Sequence, residues 1–156
     1  MTDRPTPTPG DVLTDVIVQT SFEVIAIVTR VAAEHDLSLT SVRMLGILRD
    51  RTLTMAQLAD YLGLERSTVS GLVDRAEKRG LVERRASAAD GRSTELVITT
   101  TGQGLAALAA GNISGRLAPI VERMPVELQK SLPAILAALS PATGGAGVPA
   151  SGVESM

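Results

Sequence analysis

Along residues 11–34, positions Leu13, Val16, Ile17, Thr20, Val24, Ile27, Val28 and Val31 recur at spacings of three and four, the period of a helix. The stripe is rich in β-branched residues, which weaken helix propensity. It is also wider and more apolar than one face of a small domain requires. Residues 39–50 continue the helical period, with Thr40 as the expected cap and Met44, Leu45 and Leu48 turned inward. The segment "TMAQLADYLG" pairs Thr54 with Gln57 three residues later, the pattern of a capping box, and ends at Gly63. Only Leu64 and Glu65 separate it from a further helix over 66–79, in which Val69, Leu72, Val73 and Ala76 form one stripe. Gly80 stops that helix.

Beyond Gly80 the period changes to that of strands. "LVERR" and "TELVIT" flank a loop containing Asp90-Gly91, hairpin punctuation. Thr100 and Gln103 form a second expected capping box, opening a long helix that runs towards Met124. Pro125 begins another, which Pro133 is expected to kink or shorten. The flanks differ in kind: "MTDRPTPTPG" reads as a flexible leader, and the Pro/Gly/Ser-rich 140–156 as a disordered tail. The expected fold is mainly α with a small β-hairpin wing. A helix-turn-helix domain spans 39–100, with dimerisation helices over 11–38 and 101–139.

A short helix, a tight glycine turn, a second helix and a hairpin make a winged helix-turn-helix, whose second helix lies in the DNA major groove. The face opposite the apolar stripe of 66–79 carries Ser67, Gly71, Asp74 and Lys78, flanked by Thr68, Ser70 and Arg75. Ser67, Thr68 and Ser70 are short hydroxyl residues suited to bases or phosphates. Gly71 allows close approach of the backbone. Arg66, Arg75 and Lys78 are candidate phosphate partners, as is Arg85 in the first strand. Thr54 is a candidate phosphate donor at the start of its own helix.

Composition narrows the alternatives. The net charge of −2 and pI near 5.4 do not mark a nucleic-acid binder. Seven basic and five acidic residues between Glu65 and Arg92 nevertheless leave a local charge of +2. One Tyr and one Phe argue against an aromatic platform for stacking bases. The absence of cysteine excludes disulfides and thiol sensing, and the lone His35 leaves no metal set beyond scattered carboxylates. Neither a nucleophile with a base nor a glycine-rich phosphate loop is evident, so no enzymatic activity, cofactor or metal is expected. No uninterrupted apolar run approaches the roughly 20 residues that span a bilayer, and a cytoplasmic protein is expected.

The pieces "QLADYLGL", "STVSGLVDRAEKRGLVERR", "DGR" and the Thr-x-x-Gly of "TTTG" closely resemble the core of the MarR family of bacterial transcriptional regulators. The match covers roughly residues 39 to 105. What the resemblance implies is a homodimer, more often a repressor, on a pseudo-palindromic operator with half-sites about 10 to 10.5 bp apart. It also implies that Arg92 reaches a minor groove whose narrowness raises its negative potential. By the same likeness Asp74 pairs with the wing arginine and Asp90 is the wing's own acid. Many members carry arginine where this chain has Gly71. Family members commonly bind small aromatic or lipophilic effectors near the hinge, where Arg30, His35 and Arg43 lie, although no residue here identifies the ligand.

Blander readings are open beside these. The charges of 66–85 can form a solvated face with ion pairs such as Asp74 with Lys78. Arg84 and Arg85 can serve only to keep an edge strand soluble. The principal alternative function is a winged-helix protein-interaction module without sequence-specific DNA binding. Replacing Arg92 by Ala is expected to weaken operator binding sharply with the oligomeric state unchanged, checked by gel shift and light scattering. Full-strength binding in that variant rules out the wing assignment.

Overall fold

Thr8 starts the first helix, α1 (Pro9–Glu34), through a reciprocal cap: its hydroxyl accepts from the Asp11 N–H, and the Asp11 carboxylate accepts from the Thr8 N–H and hydroxyl. These bonds hold the Asp11 carboxyl below its ordinary range. Pro9 suits the first helical position, where no N–H is needed. The helix therefore opens two residues before the expected start. The computed structural model describes residues 8–87 and 94–139. The leader before Thr8 and the tail from Ser140 lie outside the described residues.

The remaining elements follow as α2 (Leu39–Leu48), β1 (Leu53–Thr54), α3 (Met55–Leu62), α4 (Arg66–Lys78), β2 (Val82–Ala86), β3 (Thr94–Ile98), α5 (Thr100–Glu122) and α6 (Val126–Leu139). Among the described residues the strands form an antiparallel sheet in the order β1-β3-β2, with Leu53 opposite Leu96 and Val82 opposite Ile98. The two-residue β1 was not expected, since so short a strand shows no alternation and exists only through its partner. Two caps also differ from expectation. Ser38, not Thr40, accepts from the Ser41 N–H and caps α2; Thr99, not Thr100, accepts from the Gly102 N–H and caps α5. Helix α6 runs through Pro133 without being shortened. Pro133 is exposed, so solvent can satisfy the carbonyl that its missing N–H leaves over.

Both helices of the helix-turn-helix stop on a left-handed glycine, Gly63 and Gly80, each with φ of 67°. At the second, the Gly80 N–H donates to Glu77 O at 2.8 Å and the Leu81 N–H to Ala76 O at 2.9 Å, closing the helix and launching β2. The core lies where the stripes predicted from sequence meet. Met44, Leu45 and Leu48 of α2, Leu58 of α3, Val69 and Val73 of α4, and Val82 and Leu96 of the sheet are all buried. Burial of each such side chain contributes on the order of 1.5–3 kcal/mol relative to exposure.

Helix α5 docks on the wing by a close approach. Thr99 donates its N–H to Leu81 O at 3.1 Å and its hydroxyl to Gly80 O at 2.6 Å. A Cβ on Gly102 would stand 2.1 Å from that same Leu81 carbonyl oxygen. Elsewhere α1 is largely uncovered: Leu13 and Phe22 are 60% and 62% exposed, and Val12, Val16 and Ile17 are also exposed. Helices α1 and α5 are long and apolar enough, by length and composition, to cross a membrane, although their sequences hold no uninterrupted apolar run of that length. Gly102→Ala is expected to destabilise the fold by at least about 1–3 kcal/mol, the range for forcing atoms into a packed site. Urea unfolding followed by circular dichroism reads the change; an unaltered midpoint would mean that α5 docks differently.

Candidate nucleic-acid interface

The buried stripe of α4 fixes which of its residues face outward. Val69, Leu72, Val73 and Ala76 point into the core. Arg66, Ser67 and Thr68 are therefore exposed on the first turn, as are Asp74, Arg75 and Lys78 further along, while Ser70 and Gly71 are half-buried. Glu65 stands at the N-cap and forms no side-chain hydrogen bond there. The first-turn amides are thus left without a side-chain cap, and the positive end of the helix dipole meets the exposed hydroxyls. Among the described residues, none of Arg66, Arg75 and Lys78 forms an ion pair.

Other candidates are engaged within the protein. The Thr54 hydroxyl accepts from the Gln57 N–H at 3.3 Å and the Thr54 N–H donates back to Gln57 Oε1 at 2.8 Å, completing the capping box. Arg85 pairs with Glu83, though its side chain is still largely exposed. Arg79 donates to the carbonyls of His35 and Asp36 and so braces the junction of α1 and α2 against α4. Arg43 donates to the carbonyls of Tyr61 and Leu62 at 2.8 and 2.9 Å, capping the end of α3. His35, the C-cap of α1, faces Asn112 of α5 at 3.1 Å. Asp90 and Arg92 lie outside the described residues.

The resemblance pairs Asp74 with the wing arginine, Arg92, which lies outside the described residues; among the described residues the partner of Asp74 is Arg84, and not Lys78. Arg84 of β2 donates to Asp74 Oδ1 at 2.6 Å and also pairs with Glu77, whose other oxygen accepts from the Arg84 backbone N–H at 3.3 Å. The Asp74 carboxylate raises the Arg84 pKa above its ordinary value, against the opposing effect of partial burial, with Glu77 adding to the rise. A signal for this fork existed in the sequence. Val82 is apolar and buried, so strand alternation puts Arg84 on the same face, towards the helix that carries Asp74 and Glu77 three residues apart.

A cavity of about 450 Å³ lies beside the same helix. Leu37, Met44, Leu45, Leu72 and Leu81 give it apolar walls, and Arg75, Lys78 and Arg79 line it with positive charge opposed by Asp36. Arg30, His35 and Arg43, the hinge residues noted in the sequence, are not among the residues that line it.

The model of the MarR family matches residues 35–93, from the end of α1 through α4 and β2. A crystal structure of RV1404 from Mycobacterium tuberculosis aligns over 92% of this chain and 99% of its own, with a TM-score of 0.74 and 25% identity. Over residues 35–93 the chain is similar to the MarR family of winged-helix regulators. NadR in complex with 4-hydroxyphenylacetate aligns over 87% of this chain and 97% of its own, with a TM-score of 0.72 and 23% identity. A variant of MepR from S. aureus, bound to an oligodeoxyribonucleotide, aligns over 81% and 94%, with a TM-score of 0.59 and 22% identity. No curated protein matches the chain significantly.

Gly71 is not demanded by packing. A Cβ there meets only the flexible end of Arg75, at an ordinary 3.5 Å. Gly71→Ala is accordingly expected to stabilise the protein by roughly 0.5–1 kcal/mol, the cost of glycine in a helix interior. Chemical denaturation tests the stability. A drop in DNA affinity alongside the gain would show that the bare backbone at this position approaches DNA.

Proposed function

We propose that the protein is a dimeric, sequence-specific DNA-binding transcriptional regulator, acting as a repressor. In this reading α4, residues 66–79, enters the major groove and the wing, residues 81–99, reaches the minor groove. The observation that carries it is the orientation of α4. Its apolar stripe is buried while Arg66, Ser67 and Thr68 stand exposed around an N-terminus without a side-chain cap. Phosphate contacts then come from Arg66, Arg75, Lys78 and Arg85, and base or backbone contacts from Ser67, Thr68, Ser70 and Gly71. Arg92 supplies the minor-groove contact and Asp90 orients it. Thr54 contributes through its helix N-terminus, its hydroxyl being used in the cap.

A second copy of the chain accounts for the uncovered apolar side chains of α1, α5 and α6. A bilayer accounts for them less well, because Asp11, Asp15, Glu23 and Arg30 interrupt α1 and burying such charges in lipid is costly. A soluble homodimer in the cytoplasm fits this distribution. The ligand named with NadR is a small aromatic acid, and the cavity of about 450 Å³ with apolar walls and three cationic side chains suits that class of effector. Such a ligand releases DNA only in so far as it binds the DNA-free arrangement more tightly.

The deciding experiment is a fluorescence-anisotropy titration of the protein with DNA from upstream of its own gene. If Arg66, Arg75, Lys78 and Arg85 of both protomers each neutralise a phosphate, log K falls against log salt with a slope of about −7. Affinity then drops on the order of ten-thousandfold between about 50 and 200 mM salt. A weak, sequence-blind and nearly salt-independent signal would instead favour the protein-interaction module.

A further inference from the structure

We propose that Arg43 and Arg79 are positioning residues that tie the helix-turn-helix to α2, so that α2, α3 and α4 move as one body and discriminate the spacing of operator half-sites. The inference rests on the reading of the protein as a dimeric DNA-binding regulator. Each arginine uses both arms on two successive main-chain carbonyls. Arg43, on α2, donates to Tyr61 O at 2.8 Å and Leu62 O at 2.9 Å, the last two carbonyls of α3. Arg79, the C-cap of α4, donates to Asp36 O and to His35 O at 3.2 Å, in the turn that leads into α2. One tie thus runs from α2 to the end of α3, and the other from the end of α4 to the start of α2.

The carbonyls at the helix ends account for both ties. At the end of α3 the Gly63 and Leu64 amides turn back to Asp60 O and Ala59 O, which leaves the carbonyls of Tyr61 and Leu62 to a side chain. At the end of α1 the His35, Asp36 and Leu37 amides fold back onto Ala32 and Ala33, and Asp36 takes a left-handed φ of 53°. The carbonyls of His35 and Asp36, at that bend, are the pair that Arg79 reaches. A cation at a helix C-terminus also meets the negative end of the dipole. The planar guanidinium offers its N–H groups in a fixed fork, which a single ammonium does not.

Packing fixes the rotation of α4 more firmly than its tilt. The cavity of about 450 Å³ has Ser41, Met44 and Leu45 of α2 on one wall and Leu72, Arg75 and Ala76 of α4 on another. Across such a gap few side-chain contacts resist a tilt. Asp36 and Arg79 both line the cavity, so the bond between them bridges it. The consequence for DNA is geometric. One extra base pair between half-sites moves the second by about 3.4 Å and turns it by about 35°. A rigid unit of α2, α3 and α4 cannot follow that displacement, whereas an untied α4 can tilt towards it.

The test measures affinities of the natural chain, Arg43→Gln, Arg79→Gln and the double variant for the operator and for the same half-sites moved apart or together by one base pair. A random duplex and several salt concentrations complete the set, with circular dichroism confirming the fold. The natural chain is expected to lose about tenfold or more on either altered spacing, and the double variant less than about threefold. Arg43→Lys restores little. Arg49→Gln, which breaks only a pair with the neighbouring Asp50, leaves the spacing profile as it was. A double variant as selective for spacing as the natural chain overturns the proposal, as does a natural chain that tolerates both altered spacings. An equal loss on every duplex, with the salt slope shallower by about 0.9 for each arginine removed, makes them phosphate contacts and also overturns it.

Should the double variant fail to fold, the single variants decide by the same criterion. A readout without DNA separates the ties from the regulator reading. The chain holds no cysteine, so Gly46→Cys and Ser67→Cys can carry spin labels on α2 and α4, and a Cβ at Gly46 meets nothing within 4 Å. Dilution with unlabelled chain leaves distances within one protomer dominant. Their distribution should broaden in Arg43→Gln/Arg79→Gln. An unchanged distribution overturns the positioning role. A broadened one, in a protein that shows no operator preference, upholds the ties and rejects the regulator.

Discussion

Everything that α4 offers outward depends on its rotation about its own axis, and four buried side chains set that rotation. Val69, Leu72, Val73 and Ala76 occupy one stripe, so a turn of the helix by one residue, about 100°, would drive Ser70 or Asp74 into the core. Burying an unpaired carboxylate there would cost several kcal/mol, more than a surface contact can repay. Both ends reinforce the setting. The left-handed Gly63 brings the chain into α4 after a fixed two-residue connection, and the left-handed Gly80 sends it out into β2. The exposed cluster of Arg66, Ser67 and Thr68 is thus a consequence of core packing.

That is why so much of this region could be read from the residues alone. Stripe, capping box and terminal glycine are local signals, each contained within a few positions, and Thr54, Gln57, Gly63, Val69 and Gly80 behave as their types and spacings imply. The features that escaped are those whose partner lies elsewhere. Leu53 and Thr54 become a strand only because Leu96 and Glu95 pair with them. Thr99 rather than Thr100 caps α5 because Gly102 must lie against the Leu81 carbonyl, a contact across about twenty residues. Ser38 and Thr40 are both good caps by type, and only the path out of the Asp36 bend selects the first.

Arg84 shows the same limit from the side of charge. Its sequence neighbours Glu83 and Arg85 do form the local ion pair that composition suggests. Arg84 itself reaches back across seven and ten positions to α4. Counting charges between Glu65 and Arg92 gave a faint positive excess, but the distribution matters more than the total. The fork consumes Asp74 and Glu77, and Glu83 is paired as well. Among the described cations of this stretch, Arg66, Arg75 and Lys78 on α4 form no ion pair, and Arg79 donates to backbone carbonyls. A chain of net charge −2 can in this way present a locally positive helix.

The wing and the junction of α1 with α2 and α5 hold α4 from opposite sides. From the wing comes the Arg84 fork. From the other side, Arg79 ties the end of α4 to the carbonyls of His35 and Asp36, where α1 turns into α2. The same junction is fastened to α5 by the His35 contact with Asn112 and by the ion pair of Glu34 with Arg116 at 2.6 Å. A tilt of α1 against α5 must therefore either stretch these bonds or carry Arg79, and with it α4, along. The cavity of about 450 Å³ is bounded by that junction, by α2 and by α4, so its shape changes with the same tilt. On the proposed reading, a ligand that fits one shape better than the other shifts α4 by its difference in affinity, and needs no contact with the DNA-facing residues of the first turn.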